Sequence, residues 1–176
     1  MKSLTIGVDA RLYGTGHAGI GRYIENLIHN LVQQDSNIQY KLFVPSKIIP
    51  SLDFANNVEL VTTDDSHYSI AEQTSFMRLL SNHQVDLMHF PHFNVPLLYT
   101  KPFVVTIHDI LWHHVKGKGV TTLTTPVYYT KYVVYRLVVR SAVNKSRAII
   151  VPSQFVKDQI IKQFSNVDSD KIKVIY

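Results

Sequence analysis

Short apolar runs alternate along the chain with longer stretches in which apolar residues recur every three or four positions. Residues 4–9 form a run of the buried-strand type. Ile20, Tyr23, Ile24, Leu27, Ile28 and Leu31 then fall at the spacing that lays one apolar stripe along a helix, with Arg22, Glu25, Asn26, His29 and Asn30 opposite. Residues 40–44 and 58–61 read as strands joined by a loop containing Pro45 and Pro50. A helix over 70–83, carrying Phe76, Met77 and Leu80, precedes a strand over 86–90. Residues 103–107 are β-branched and apolar, as a central parallel strand buried on both faces should be. A long helix over 121–145, a strand over 148–151, a helix over 153–164 capped by Ser153 and a strand over 172–175 complete the chain. This alternation predicts a Rossmann-like α/β domain over 1–176, with a doubly wound, mainly parallel sheet and helices on both faces.

The 176 residues make about one domain, large enough to bury roughly 70% of the unfolded surface. With no cysteine, the chain excludes disulfides, zinc-thiolate sites and thiol nucleophiles, and it suits a reducing, cytoplasmic compartment. The apolar run after Lys2 is broken by Asp9 and Arg11, so no signal peptide is expected, and no apolar run reaches membrane-spanning length. A net charge of +5 modestly favours anionic partners.

In doubly wound sheets ligands collect at the carboxyl ends of the strands, and those ends are polar here. Asp9, Arg11 and a glycine loop follow the first strand, Pro91-His92-Phe93-Asn94 the fourth, and His108-Asp109 the fifth. The loop, with Gly14, Gly16, Gly19 and Gly21, opens a helix whose unpaired N–H groups and dipole suit a phosphate. The string Gly14 to Gly19 also satisfies the dinucleotide-binding pattern, but Asp9, Ala10, Arg11, Leu12 and Tyr13 stand before it, where the pattern wants its first glycine at the very end of the strand, and the second strand ends in Pro45 without a carboxylate. His108 stands at the mouth of the most apolar strand beside Asp109, which can orient its ring or raise its basicity. His89, His92, His108, His113 and His114 lack the spacing of a metal site, so none is expected. No serine-nucleophile elbow occurs.

Taken in order, G-x-D-A-R, G-I-G-R-Y, H-F-P-H-F-N-V-P, T-I-H-D, V-P-S-x-F and K-I-K-V-I-Y resemble the N-terminal domain of family-4 retaining glycosyltransferases of the GT-B fold, across essentially the whole chain. The resemblance implies that Gly19, Ile20, Gly21 and Arg22 lie against the diphosphate of a nucleotide sugar, the donor co-substrate, with no cofactor or metal. It implies catalytic roles for His108 and Asp109, an acceptor side lined by Asp9, Arg11, His92 and Asn94, and a place near the interdomain face for Ser153. The implied reaction is transfer of a hexose to the hydroxyl of a glycan or lipid-linked acceptor with retained configuration. The family's second domain, which carries most of the nucleotide-binding residues, is missing here, so the isolated half is expected to be inactive. A free-standing phosphate-binding module without chemistry is the alternative.

One further segment is unusual. Residues 116–145 carry six lysines or arginines interleaved with Tyr128, Tyr129, Tyr132 and Tyr135. Tyr128, Tyr132 and Tyr135 share a helical face that could lie on anionic lipid or grip a lipid-linked acceptor, giving peripheral contact with a membrane; packing of these tyrosines on the sheet is the favoured reading. Lys131, Arg136, Arg140 and Lys145 point in different directions, which argues against nucleic acid.

Overall fold

The computed structural model describes residues 3–67, 69–110 and 125–176, leaving aside the side chains of Thr15 and of residues 125–128. Seven strands form a sheet in the order β3-β2-β1-β4-β5-β6-β7. They are β1 (Thr5–Asp9), β2 (Gln39–Val44), β3 (Val58–Thr62), β4 (Leu87–Phe90), β5 (Phe103–Thr106), β6 (Ala148–Val151) and β7 (Ile172–Val174). Every pairing is parallel. The order runs outward in one direction from β1 to β3 and in the other from β4 to β7, so the topological switch lies between β1 and β4.

The helices are α1 (Ala18–Gln34), α2 (Met77–Asn82), α3 (Thr125–Lys145) and α4 (Gln154–Gln163). On α1 the predicted stripe is real: Ile24 and Ile28 are buried against Val8, Leu42 and Val44. Phe43, next to Leu42 on β2, belongs instead to a second core with Phe76, Leu80 and Phe90. Adjacent strand residues point to opposite faces, so the two clusters cover the two sides of the sheet. The helix over 153–164 is capped as expected, with the Val156 N–H donating to Ser153 Oγ at 3.3 Å.

The helix expected over 70–83 runs continuously over 70–82, with a π turn, Glu72–Phe76, inside it before α2. The β2–β3 connection, read as a loop, contains a 3-10 segment, Ser46–Ser51, with Pro50 inside it. Residues 121–124 of the long helix lie outside the described residues.

Candidate functional site

The polar loops after β1, β4 and β5 gather at the carboxyl edge of the sheet, beside the switch point, and the segment after β3 joins them. At the centre is Arg11. Its Nε donates to Asp9 Oδ1 at 2.9 Å, and one terminal nitrogen donates both to Asp9 Oδ2 and to Glu72 Oε1 at 2.7 Å. The other reaches the Asp65 carbonyl at 3.2 Å, and the guanidinium lies 3.7 Å over the Phe76 ring. Asn94 Nδ2 completes the chain by donating to Glu72 Oε2 at 2.5 Å.

Asp9, Arg11, Glu72 and Asn94 are all nearly inaccessible, at 5, 4, 0 and 2% exposure. Burial favours the neutral form of each ionisable group, but Arg11 outweighs it at Asp9, whose carboxyl is held below the ordinary range by the guanidinium's charge and hydrogen bonds. At Glu72 burial wins and the carboxyl is pushed up, only partly offset by Arg11 and Asn94. Burial also opposes the charge on Arg11, yet its two carboxylate partners raise its pKa. These groups are committed to one another and form the floor of the site.

Histidines form its upper layer. His67 Nε2 lies 3.8 Å from Asp9 Oδ2, and its ring meets that of His92 edge-on at 6.4 Å. Burial pushes His67 down to about 4 despite Asp9, and pushes His92 down to about 3 with help from the charges of His67 and His108. Both rings are therefore neutral at pH 7.

His108 is half-buried just beyond β5, and its Nε2 lies 2.9 Å from the Pro91 carbonyl. A carbonyl only accepts, so Nε2 carries the proton. Burial lowers the His108 pKa, with the Pro91 bond and the Asp109 charge opposing, so the ring is neutral at pH 7 and Nδ1 is an acceptor. The orienting partner is thus the Pro91 carbonyl, whereas exposed Asp109 acts on the ring through its charge. The Tyr23 ring packs edge-on against His108 at 4.8 Å. Its hydroxyl lies 3.1 Å from Thr106 Oγ1, which lies 2.9 Å from His89 Nε2. This buried relay pins α1 to the ends of β4 and β5.

Around the glycine loop the structure separates two kinds of glycine. A Cβ on Gly21 would fall 1.9 Å from the Gly14 carbonyl oxygen, so Gly21 is there to let the loop cross the helix. Gly19 is exposed, and a Cβ there would meet nothing within 4 Å. The first turn of α1 has no acidic residue, and His17 at its N-cap makes no capping bond. The amides near Gly19 and Ile20 thus keep the positive end of the helix dipole, and Arg22 is exposed beside them. Ala18 enters this turn at φ 52°, a left-handed conformation unusual for a residue with a side chain.

Sequence reasoning passed over His67, Glu72, Tyr23 and Thr106. His67 was within reach, since it follows β3 just as the other candidates follow their strands. Glu72 and Tyr23 read only as helix residues, because their partners lie 61 and 83 residues away. Of the five histidines weighed as metal ligands, His113 and His114 lie outside the described residues; His89 binds Thr106 and His108 binds the Pro91 carbonyl.

A doubly wound, all-parallel sheet with its polar loops at the switch point defines a Rossmann-like α/β domain. Residues 17–176 match the model of Glycosyltransferase Family 4, and the chain belongs to that family. Its fold is similar to the wall teichoic acid polymerase TagF, with 14% identity and a TM-score of 0.59 over 99% of this chain. A glycosyltransferase from Rickettsia africae aligns over 99% of the chain with 14% identity and a TM-score of 0.50. The chain spans only 39% of the TagF chain and 43% of the Rickettsia protein. No curated protein matches the sequence.

Proposed function

We propose that this chain is the acceptor-side half of a glycosyltransferase that moves a hexose from a nucleotide sugar to the hydroxyl of a glycan or lipid-linked acceptor, with retained configuration. A second domain supplies most nucleotide contacts, so the half alone is inactive. The reading includes cytoplasmic work on cell-surface polysaccharide, with peripheral contact at the inner face of a membrane.

One observation carries it. Tyr23, which touches His108, lies one helical turn beyond Gly19, so the first turn of α1 and His108 lie close together at one edge of the sheet. In the transfer, negative charge collects on the departing diphosphate while the sugar ring becomes cationic. The dipole of α1, through the amides of Gly19 and Ile20, meets the first charge, with Gly21 shaping the turn and Arg22 adding a cation. His108 Nδ1 accepts a hydrogen bond from a hydroxyl of the transferred sugar, and Asp109 and His92 face the acceptor. Asp9, Arg11 and Asn94 hold that wall in place. Helix dipole and cationic groups do the work of a metal here.

The test is to supply the full-length protein with UDP- and GDP-hexoses plus candidate acceptors, in chelator, and follow nucleoside diphosphate release and product anomeric configuration. Release with retention is expected; inversion, or release only with added metal, contradicts the mechanism.

A further inference from the structure

The sequence favours packing of Tyr128, Tyr132 and Tyr135 on the sheet, and Tyr135 is buried in the core against Phe93, at 5.3 Å between ring centres. The face that α3 turns outward is a different one. Tyr129, Val133 and Leu137, each one turn after the last, are 59, 54 and 53% exposed, and Val134 is 44% exposed beside them. A solvated helix face is polar; a line of apolar residues up three turns is not. Between this line and the loop after α4 lies a cleft of about 430 Å3, where Val133 and Leu137 form the apolar side and Arg136 and Arg140, one turn apart, the cationic side. Gln163 and Asn166 also line it, and no carboxylate does so among the described residues. Arg136 is steered by Tyr132, whose hydroxyl accepts from it at 3.4 Å and whose ring centre is 5.9 Å away. The helix carries four basic residues and no acidic one.

We propose that this face of α3 docks on an anionic lipid bilayer, with Arg136 and Arg140 taking a headgroup phosphate in the cleft and Tyr129, Val133 and Leu137 entering the acyl boundary. Interleaved cations and apolar side chains on one helix face fit that partner by charge and by hydrophobicity. The inference gives a surface to the membrane contact in the reading above, but it requires no glycosyl transfer.

The experiment is flotation of the protein with vesicles of phosphatidylcholine alone or with about a third phosphatidylglycerol. Binding is expected only to the anionic vesicles and weakens with salt. Reversing both cations, as Arg136→Glu with Arg140→Glu, should lower it about thirtyfold or more, and Leu137→Gln should also lower it. The variant Lys47→Glu with Lys173→Glu makes the same change in net charge away from α3 and should keep binding. Circular dichroism checks that each variant is folded. Equal binding to neutral vesicles, no binding to either, or equal loss in both charge-reversed variants overturns the proposal. So does a change of oligomeric state in Leu137→Gln without loss of lipid binding, which would mark the face as a contact between copies of the chain. Donor turnover in solution reads the transferase proposal separately.

Discussion

The Arg11 guanidinium donates to Glu72 Oε1 at 2.7 Å across 61 residues of sequence, and neither side chain is more than 2% exposed. This contact fastens the loop after β1 to the π turn that leads into α2. Through Asn94 it reaches the loop after β4. A π turn costs backbone regularity, and here it accompanies a buried carboxylate aimed at the site wall.

Removing one partner should therefore be severe. Glu72→Ala leaves Arg11 with one buried carboxylate instead of two, and a loss of about 3–5 kcal/mol in urea denaturation is expected. Glu72→Gln, which keeps a hydrogen-bond acceptor, should lose less. Equal midpoints for Glu72→Ala and the parent protein would remove Arg11–Glu72 from the account.

Acidification should destabilise the fold early. His67, His89 and His92 have folded values of about 4, about 4 and about 3, all below the ordinary 6.5. The unfolded chain therefore binds protons first, so the stability from these neutral rings is complete above pH 6.5 and is lost as pH falls toward 4. Each contributes a slope of up to about 1.4 kcal/mol per pH unit. Asp9, held below its ordinary value, adds a loss at lower pH, whereas Glu72, pushed up, opposes it. Urea midpoints from pH 7.5 to 4.5 should fall steeply below 6.5, and His89→Gln should flatten the fall.

The two glycines of the first turn of α1 should respond in opposite ways. Gly21→Ala places a methyl on the Gly14 carbonyl and should destabilise by about 2 kcal/mol or more. Gly19→Ala meets open space and should be neutral or gain up to about 1 kcal/mol from helix propensity. Thermal melts of the pair decide it, since similar losses would mean that both glycines are there for packing.

The Tyr99 hydroxyl is buried with no hydrogen-bond partner among the described residues, and burial pushes its pKa up to about 12. Its ring packs between Phe90 and Phe103. Tyr99→Phe keeps those contacts and removes the stranded hydroxyl, so a gain of about 1 kcal/mol is expected in denaturant titration. A loss would show that the hydroxyl has a bound partner.

Periodicity alone was enough for the sheet, because each apolar run is short and each helix stripe continuous; Ile24 and Ile28 sit where their spacing placed them. The rule that ligands meet strand ends also located the loops of Asp9, His92 and His108. What the spacing could not carry were pairings between distant segments. Glu72 carried no signal of its own because Arg11, which makes its burial tolerable, lies far away in sequence. Gly19 and Gly21 looked alike, since only the path of the loop past Gly14 distinguishes them. On α3, Tyr135 packs inward as its spacing suggested, but nothing in the spacing marked Val133 and Leu137 as turned outward.

The central claim, that the first turn of α1 and His108 together receive the diphosphate and sugar of the donor, is tested most directly by titrating UDP and GDP into the labelled chain and following amide and histidine resonances. The account predicts shifts concentrated at residues 18–20 and at the His108 ring. Gly19→Val should abolish the first set, and His108→Ala should leave it in place. Shifts clustered away from both positions, or left unchanged by Gly19→Val in a folded protein, would contradict it.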